Sequence, residues 1–152
     1  MIIEGKFSVK APIKKLWETL FGDVKGVAAC MPGVESLEVV DDKTFNLTMK
    51  QKVGIFGVTM KGPLLLTTVQ APTHLDMAGE FSDVTKLGQI RSKITLDLAE
   101  NAPNVDLSYK LDVSISGKIS ALGVADRFMR TKGAVIEKEF IENLKGFIAK
   151  RV

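Results

Sequence analysis

Apolar and polar residues alternate one for one through most of this chain, and only its beginning and end depart from that period. Ile3, Gly5, Phe7 and Val9 share one face of residues 2–9, which predicts a strand. Pro12 follows, where a helix starts without needing its amide, and Ile13, Leu16, Trp17 and Leu20 then recur at helical spacing. Residues 12–21 therefore read as a short helix with one apolar stripe. Asp23 can cap a second short helix that ends before Pro32.

From Glu35 the period is two again. Leu37 and Val39 form a short strand, Asp41-Asp42-Lys43 a turn, and Phe45, Leu47, Met49, Gln51 and Val53 one face of the next strand. Phe56, Val58, Met60, Gly62, Leu64, Leu66 and Thr68 share a face after Gly54, and Leu75, Met77, Gly79 and Phe81 after the turn QAPTH. Gly88, Ile90, Ser92, Ile94, Leu96 and Leu98 follow, and last come Val105, Leu107, Tyr109, Leu111, Val113 and Ile115, backed by Asp106, Ser108, Lys110, Asp112, Ser114 and Ser116. Short turns between such segments predict an antiparallel meander. Residues 120–151 return to steps of three and four: Met129, Gly133, Ile136, Phe140, Leu144 and Phe147 make the stripe of one long helix. The expected fold is α+β, a single domain over residues 1–152 in which a curved sheet wraps around that helix.

Composition adds little to this picture. A chain of 152 residues can bury roughly 70% of its unfolded surface and build its own core. A single cysteine fits a reducing compartment, and the short apolar start is not a signal peptide, so a cytoplasmic protein is expected. The net charge of +3 is spread over scattered lysines, which argues against a nucleic-acid partner and leaves only weak attraction to an anionic membrane surface.

The inward faces, as assigned from the alternation, hold no Asp or Glu. Their polar members are Gln51, Thr68, Ser92 and Tyr109, and they carry Gly5, Gly62, Gly79 and Gly88 beside Met49, Met60 and Met77, with Met31 and Met129 on the adjoining helices. Methionine adapts to irregular space and glycine supplies no side-chain volume, which suits a greasy ligand; bends in a curved sheet and ordinary core filling explain the same residues. A solid core and a ligand cavity both remain open. Gly133 leans toward the cavity, because glycine inside a helix costs about 1 kcal/mol against alanine. Its alternative explanation is close approach of helix and sheet.

Catalytic chemistry is sparse. His74, the only histidine, falls in an expected exposed turn with no nucleophile beside it. Cys30 has no cysteine or histidine neighbour in sequence, so neither a metal nor a cofactor is expected. Glu137, Glu139 and Glu142 read as the wet side of the last helix.

The order of elements resembles the helix-grip fold of the START-like (SRPBCC) superfamily. Particular residues narrow this: Ala11-Pro12 with Leu16-Trp17, Cys30-Met31-Pro32-Gly33-Val34, Val53-Gly54, Tyr109, and Gly117-Lys118-Ile119-Ser120-Ala121-Leu122-Gly123 before the helix. Together they resemble the CoxG family of carbon monoxide dehydrogenase subunits over nearly the whole chain. That family usually has proline where Ile55 stands, and its longer members carry a tail past the position of Val152 that is thought to hold them at the membrane. The resemblance implies a non-catalytic accessory protein that handles a lipophilic molecule such as a quinone or another lipid. It also implies a partner, carbon monoxide dehydrogenase or a related molybdenum hydroxylase, with transient membrane contact. The expected lining is Trp17, Met31, Met49, Gln51, Met60, Met77, Tyr109, Met129, Gly133 and Phe140, with Tyr109 and Gln51 offered to a head group. Cys30 is expected to pack under the cavity rim. A polyketide cyclase-like enzyme and an interaction domain with a filled core are the alternatives.

Overall fold

The structure, a computed structural model, describes residues 1–121 and 123–152; Leu122 of the Gly117–Gly123 segment lies outside the described residues. Strand β1 (Ile2–Lys10) leads into α1 (Ile13–Gly22) and α2 (Val24–Ala29). Pro12 stands just before α1, its carbonyl accepting the Leu16 amide, and Leu16, Trp17 and Leu20 are the stripe that α1 buries. Asp23 caps α2 by accepting the Gly26 amide at 2.9 Å, satisfying one of the donors a helix start leaves free.

Six strands follow: β2 (Val34–Val39), β3 (Thr44–Val53), β4 (Phe56–Gln70), β5 (His74–Asp83), β6 (Gln89–Asn101) and β7 (Asn104–Ser116). They form one antiparallel sheet in the order β1-β7-β6-β5-β4-β3-β2, so the meander returns to pair its last strand with its first. Gly33 makes the corner before β2 with a φ of +92°, a conformation that side chains other than glycine resist.

The register corrects one expected face. Leu66 pairs with Met77, but a bulge then brings Thr68 opposite Asp76. An extra residue in one strand shifts every later side chain to the other face, so Thr68 lies on the outer surface with Asp76 and not inside. The end of the chain is also divided. A four-residue turn, α3 (Lys118–Ala121), precedes α4 (Val124–Ala149), and Gly123 separates them at a φ of +68°. The expected single helix from residue 120 is therefore broken at its start, where glycine takes a left-handed conformation. The 26 residues of α4 span about 39 Å along the inner side of the sheet.

Apolar packing falls into two separate groups. One joins α1, Cys30 and the end of α4 (Leu144, Ile148) to Val9, Leu75, Leu98, Val105 and Leu107. The other lies at the opposite end of the sheet, where Val53, Val58, Met60, Phe81 and Ile119 meet Val124 and Phe128 near the start of α4. Between them the fold is the helix-grip arrangement expected from sequence: a curved sheet with a long helix laid across it, two short helices closing one end.

Candidate functional site

The stretch between the two packed ends is lined by inner-face residues that belong to neither. Met49, Ile94, Tyr109 and Leu111 of the sheet and Met129, Gly133 and Ile136 of α4 are all partly buried there. Gly133 reports directly on how near the sheet comes. A Cβ placed on it would meet only Met129 Cε, at 3.5 Å, one turn back on the same helix. Close approach of sheet and helix is therefore not what this glycine is for.

Gly5 behaves in the opposite way. It pairs with Tyr109 across β1 and β7, and a Cβ there would collide with the Tyr109 hydroxyl oxygen and Cζ. The missing side chain lets the tyrosine lie across its neighbour strand, with its ring tilted against Phe7 at 6.4 Å. From there the Tyr109 hydroxyl reaches across to α4 and donates a hydrogen bond to Glu137 Oε2. Burial, reinforced by this carboxylate, pushes the phenol well above its ordinary range and keeps its proton in place.

The sequence reading puts Glu137 on the wet side of α4, and the structure turns it inward. The signal is present, since Glu137 lies four residues after Gly133 and three before Phe140, on the same stripe. Glu139 and Glu142 are exposed as expected. A second carboxylate escapes the sequence reading for a similar reason. Asp83 continues the alternation Leu75, Met77, Gly79, Phe81, and it is only 4% exposed. It holds the β5–β6 turn by accepting from the amides of Thr59, Thr85 and Leu87 and from the Thr85 hydroxyl. Burial alone would raise its pKa; these hydrogen bonds outweigh it and leave the carboxyl below its ordinary value.

The other expected lining residues are divided among these regions. Trp17 sits in the first packed end, stacked on Phe21, with Met77 and Phe140 against its edge. Met60 is enclosed in the second, 4% exposed. Met31 is half-buried just after α2. Gln51 uses its amide nitrogen to bind the Pro32 carbonyl at 2.8 Å, fastening the Pro32-Gly33 corner to β3. Cys30 is buried, its Sγ 3.4 Å from the Gly26 carbonyl, and burial raises its thiol pKa, so it is a packing residue rather than a poised nucleophile. Asn143 of α4 donates to the Cys30 carbonyl at 3.0 Å, tying the same corner to the long helix.

His74 opens β5 on the outer face, not in the turn. Its ring nitrogens meet Asp97 at 2.6 Å and Asp76 at 3.0 Å, and the Asp97 and Asp76 hydrogen bonds raise its pKa. Two depressions open on the β2–β4 side, one of about 330 Å³ lined by Lys50, Gln51, Lys52, Gly57 and Val58, the other of about 350 Å³ lined partly by Glu38, Asn46, Thr48 and Lys61. The polar rim of the second suits solvent better than an apolar guest. Among the described residues no group of three His, Cys, Asp or Glu side chains could hold a metal, and no helix is long and apolar enough to cross a membrane.

A curved antiparallel sheet gripping a long C-terminal helix, with two short helices after the first strand, defines the helix-grip fold. Solved structures bear the class out. A conserved protein from Geobacillus kaustophilus superposes with a TM-score of 0.83 at 18% identity, covering 99% of this chain and 96% of that one. Ara h 8.0201 gives 0.63 at 14% identity, covering 99% and 98%. The di-domain ARO/CYC protein BexL of the BE-7585A biosynthetic pathway gives 0.62 at 16% identity over 97% of this chain and 50% of its own. Within that class the chain belongs to the CoxG family of carbon monoxide dehydrogenase subunits, whose pattern matches residues 5–149. Members of that family are generally accessory, non-catalytic components of the carbon monoxide dehydrogenase system. Among curated proteins none matches the chain significantly.

Proposed function

We propose that this protein is a non-catalytic carrier that holds an apolar small molecule, a quinone or another isoprenoid lipid, between the sheet and α4. In this reading it serves a carbon monoxide dehydrogenase or a related molybdenum hydroxylase on the cytoplasmic side of the membrane. The observation that carries the reading is Gly133: a glycine in mid-helix, facing the sheet, that no sheet atom approaches. Met49, Met129 and Tyr109 flank the same stretch, while Trp17, Met77 and Phe140 bound it at one end and Met60 at the other. Gln51, already engaged with Pro32, contributes to the rim more than to a head group. Transient membrane contact is supported by the β3–β4 hairpin tip, where Ile55 is 89% exposed close to Lys50 and Lys52.

Lipid extraction and native mass spectrometry of the protein purified from its own host test this. The expected result is a stoichiometric apolar compound and a rise in thermal stability with added quinone. Apolar compounds at background level, with no such rise, would overturn the reading. A small enzyme of the same fold is the second reading, and the Tyr109–Glu137 pair is what favours it. It requires turnover of a substrate that Tyr109→Phe abolishes.

A further inference from the structure

The polar groups of the inner stretch are unequal in what they offer. Tyr109 has one proton and gives it to Glu137 Oε2. What remains at the pair is the tyrosine oxygen's lone pairs and Glu137 Oε1, which no donor meets among the described residues; as a carboxylate, Glu137 only accepts. The nearest inner-face neighbours, Phe7, Leu96, Leu107, Leu111 and Ile136, bring no side-chain donor, and the Lys145 ammonium of α4 lies over the Phe7 ring, 5.7 Å from its centroid. Ser92, which has a hydroxyl, lies four residues along β6 from Leu96, opposite Val113 rather than Tyr109. Backbone amides of β6 and β7, inside the sheet, are committed to the ladder, and β1, at its edge, pairs on one side only, with β7.

We infer that the Tyr109–Glu137 pair is a head-group site that selects an apolar molecule ending in an O–H donor, a phenol or an alcohol, over the same molecule ending in a carbonyl or an ether. The inference rests on the carrier reading above. A hydroxyl supplies the proton that the pair lacks. A carbonyl would face acceptors alone, or would have to draw the Tyr109 proton away from a carboxylate that holds it in a charge-assisted bond. Leaving that carboxylate unpaired in an apolar surround is the costlier arrangement. For a quinone-type guest the same rule favours the reduced, hydroquinone form.

The test measures dissociation constants of the full chain for para-nonylphenol, its methyl ether and nonylbenzene, with circular dichroism confirming that each variant is folded. The phenol should bind about tenfold or more tightly than the ether and the hydrocarbon, the size of discrimination a hydrogen bond to a charged group provides. Glu137→Gln, whose amide brings its own donors, should erase that preference. Tyr109→Phe should keep it, because Glu137 is then free to accept from the ligand. Equal binding of phenol and ether by the unaltered chain overturns the inference and leaves the carrier reading standing. No measurable binding of any of the three overturns the carrier reading, and the inference with it.

Discussion

Single side chains decide more in this protein than their number suggests. Gly5 and Gly133 are both inner-face glycines, yet one makes room for a specific ring and the other has only Met129 of its own helix within reach of an added Cβ. Asp83 shows how a buried carboxylate can be structural: four donors converge on it, three of them backbone amides, Thr85 and Leu87 in the β5–β6 turn and Thr59 on β4. Asp83→Asn should destabilise the fold by about 2 kcal/mol near neutral pH, the worth of lost charge-assisted bonds in a dry site. Because the folded carboxyl titrates below its ordinary value, its contribution is complete above about pH 4 and fades as pH falls through the lowered value. The stability gap between the native chain and Asp83→Asn, followed by urea unfolding, should therefore be flat from pH 8 to about 5 and shrink toward pH 3. A gap that widens on acidification would contradict this account of the turn.

At the scale of elements, the period of the sequence sets most of what the structure contains. Alternation places all seven strands, and the stripe from Met129 to Phe147 places α4. Three things escape it, each for a physical reason. The bulge after Leu66 leaves no mark on the hydrophobic period, so alternation alone puts Thr68 on the wrong face. Gly123 breaks α3 from α4 through a backbone conformation, which an apolar count does not register. Asp83 and Glu137 sit on the right period, but a charge in a sequence reads as facing water unless its partners are known. The β3–β4 hairpin explains the departure at Ile55. Val53 pairs with Phe56, Gly54 takes the positive φ of the first loop position, and Ile55 at the second tolerates proline or another residue alike. An isoleucine there leaves an apolar tip near two lysines, which proline would make less greasy. Ile55→Asp should reduce sedimentation of the protein with anionic vesicles by several-fold without changing its unfolding midpoint; unchanged sedimentation would remove the hairpin from the membrane reading.

Across the whole molecule, the apolar groups pack at both ends of the sheet and thin out between them. Sequence alone does not decide between a hollow and a filled interior, because glycine and methionine serve both; Gly133, whose added Cβ would meet only Met129 of its own helix, is what supports the hollow one in the carrier reading. The most direct measurement is the stability and ligand response of Gly133→Leu, by thermal and urea unfolding with and without an apolar guest. If the space is open, the ligand-free variant gains about 1 kcal/mol from helix propensity alone, and it no longer responds to guests that stabilise the unaltered chain. A ligand-free variant destabilised by several kcal/mol, as overpacking of a filled core would produce, contradicts the account.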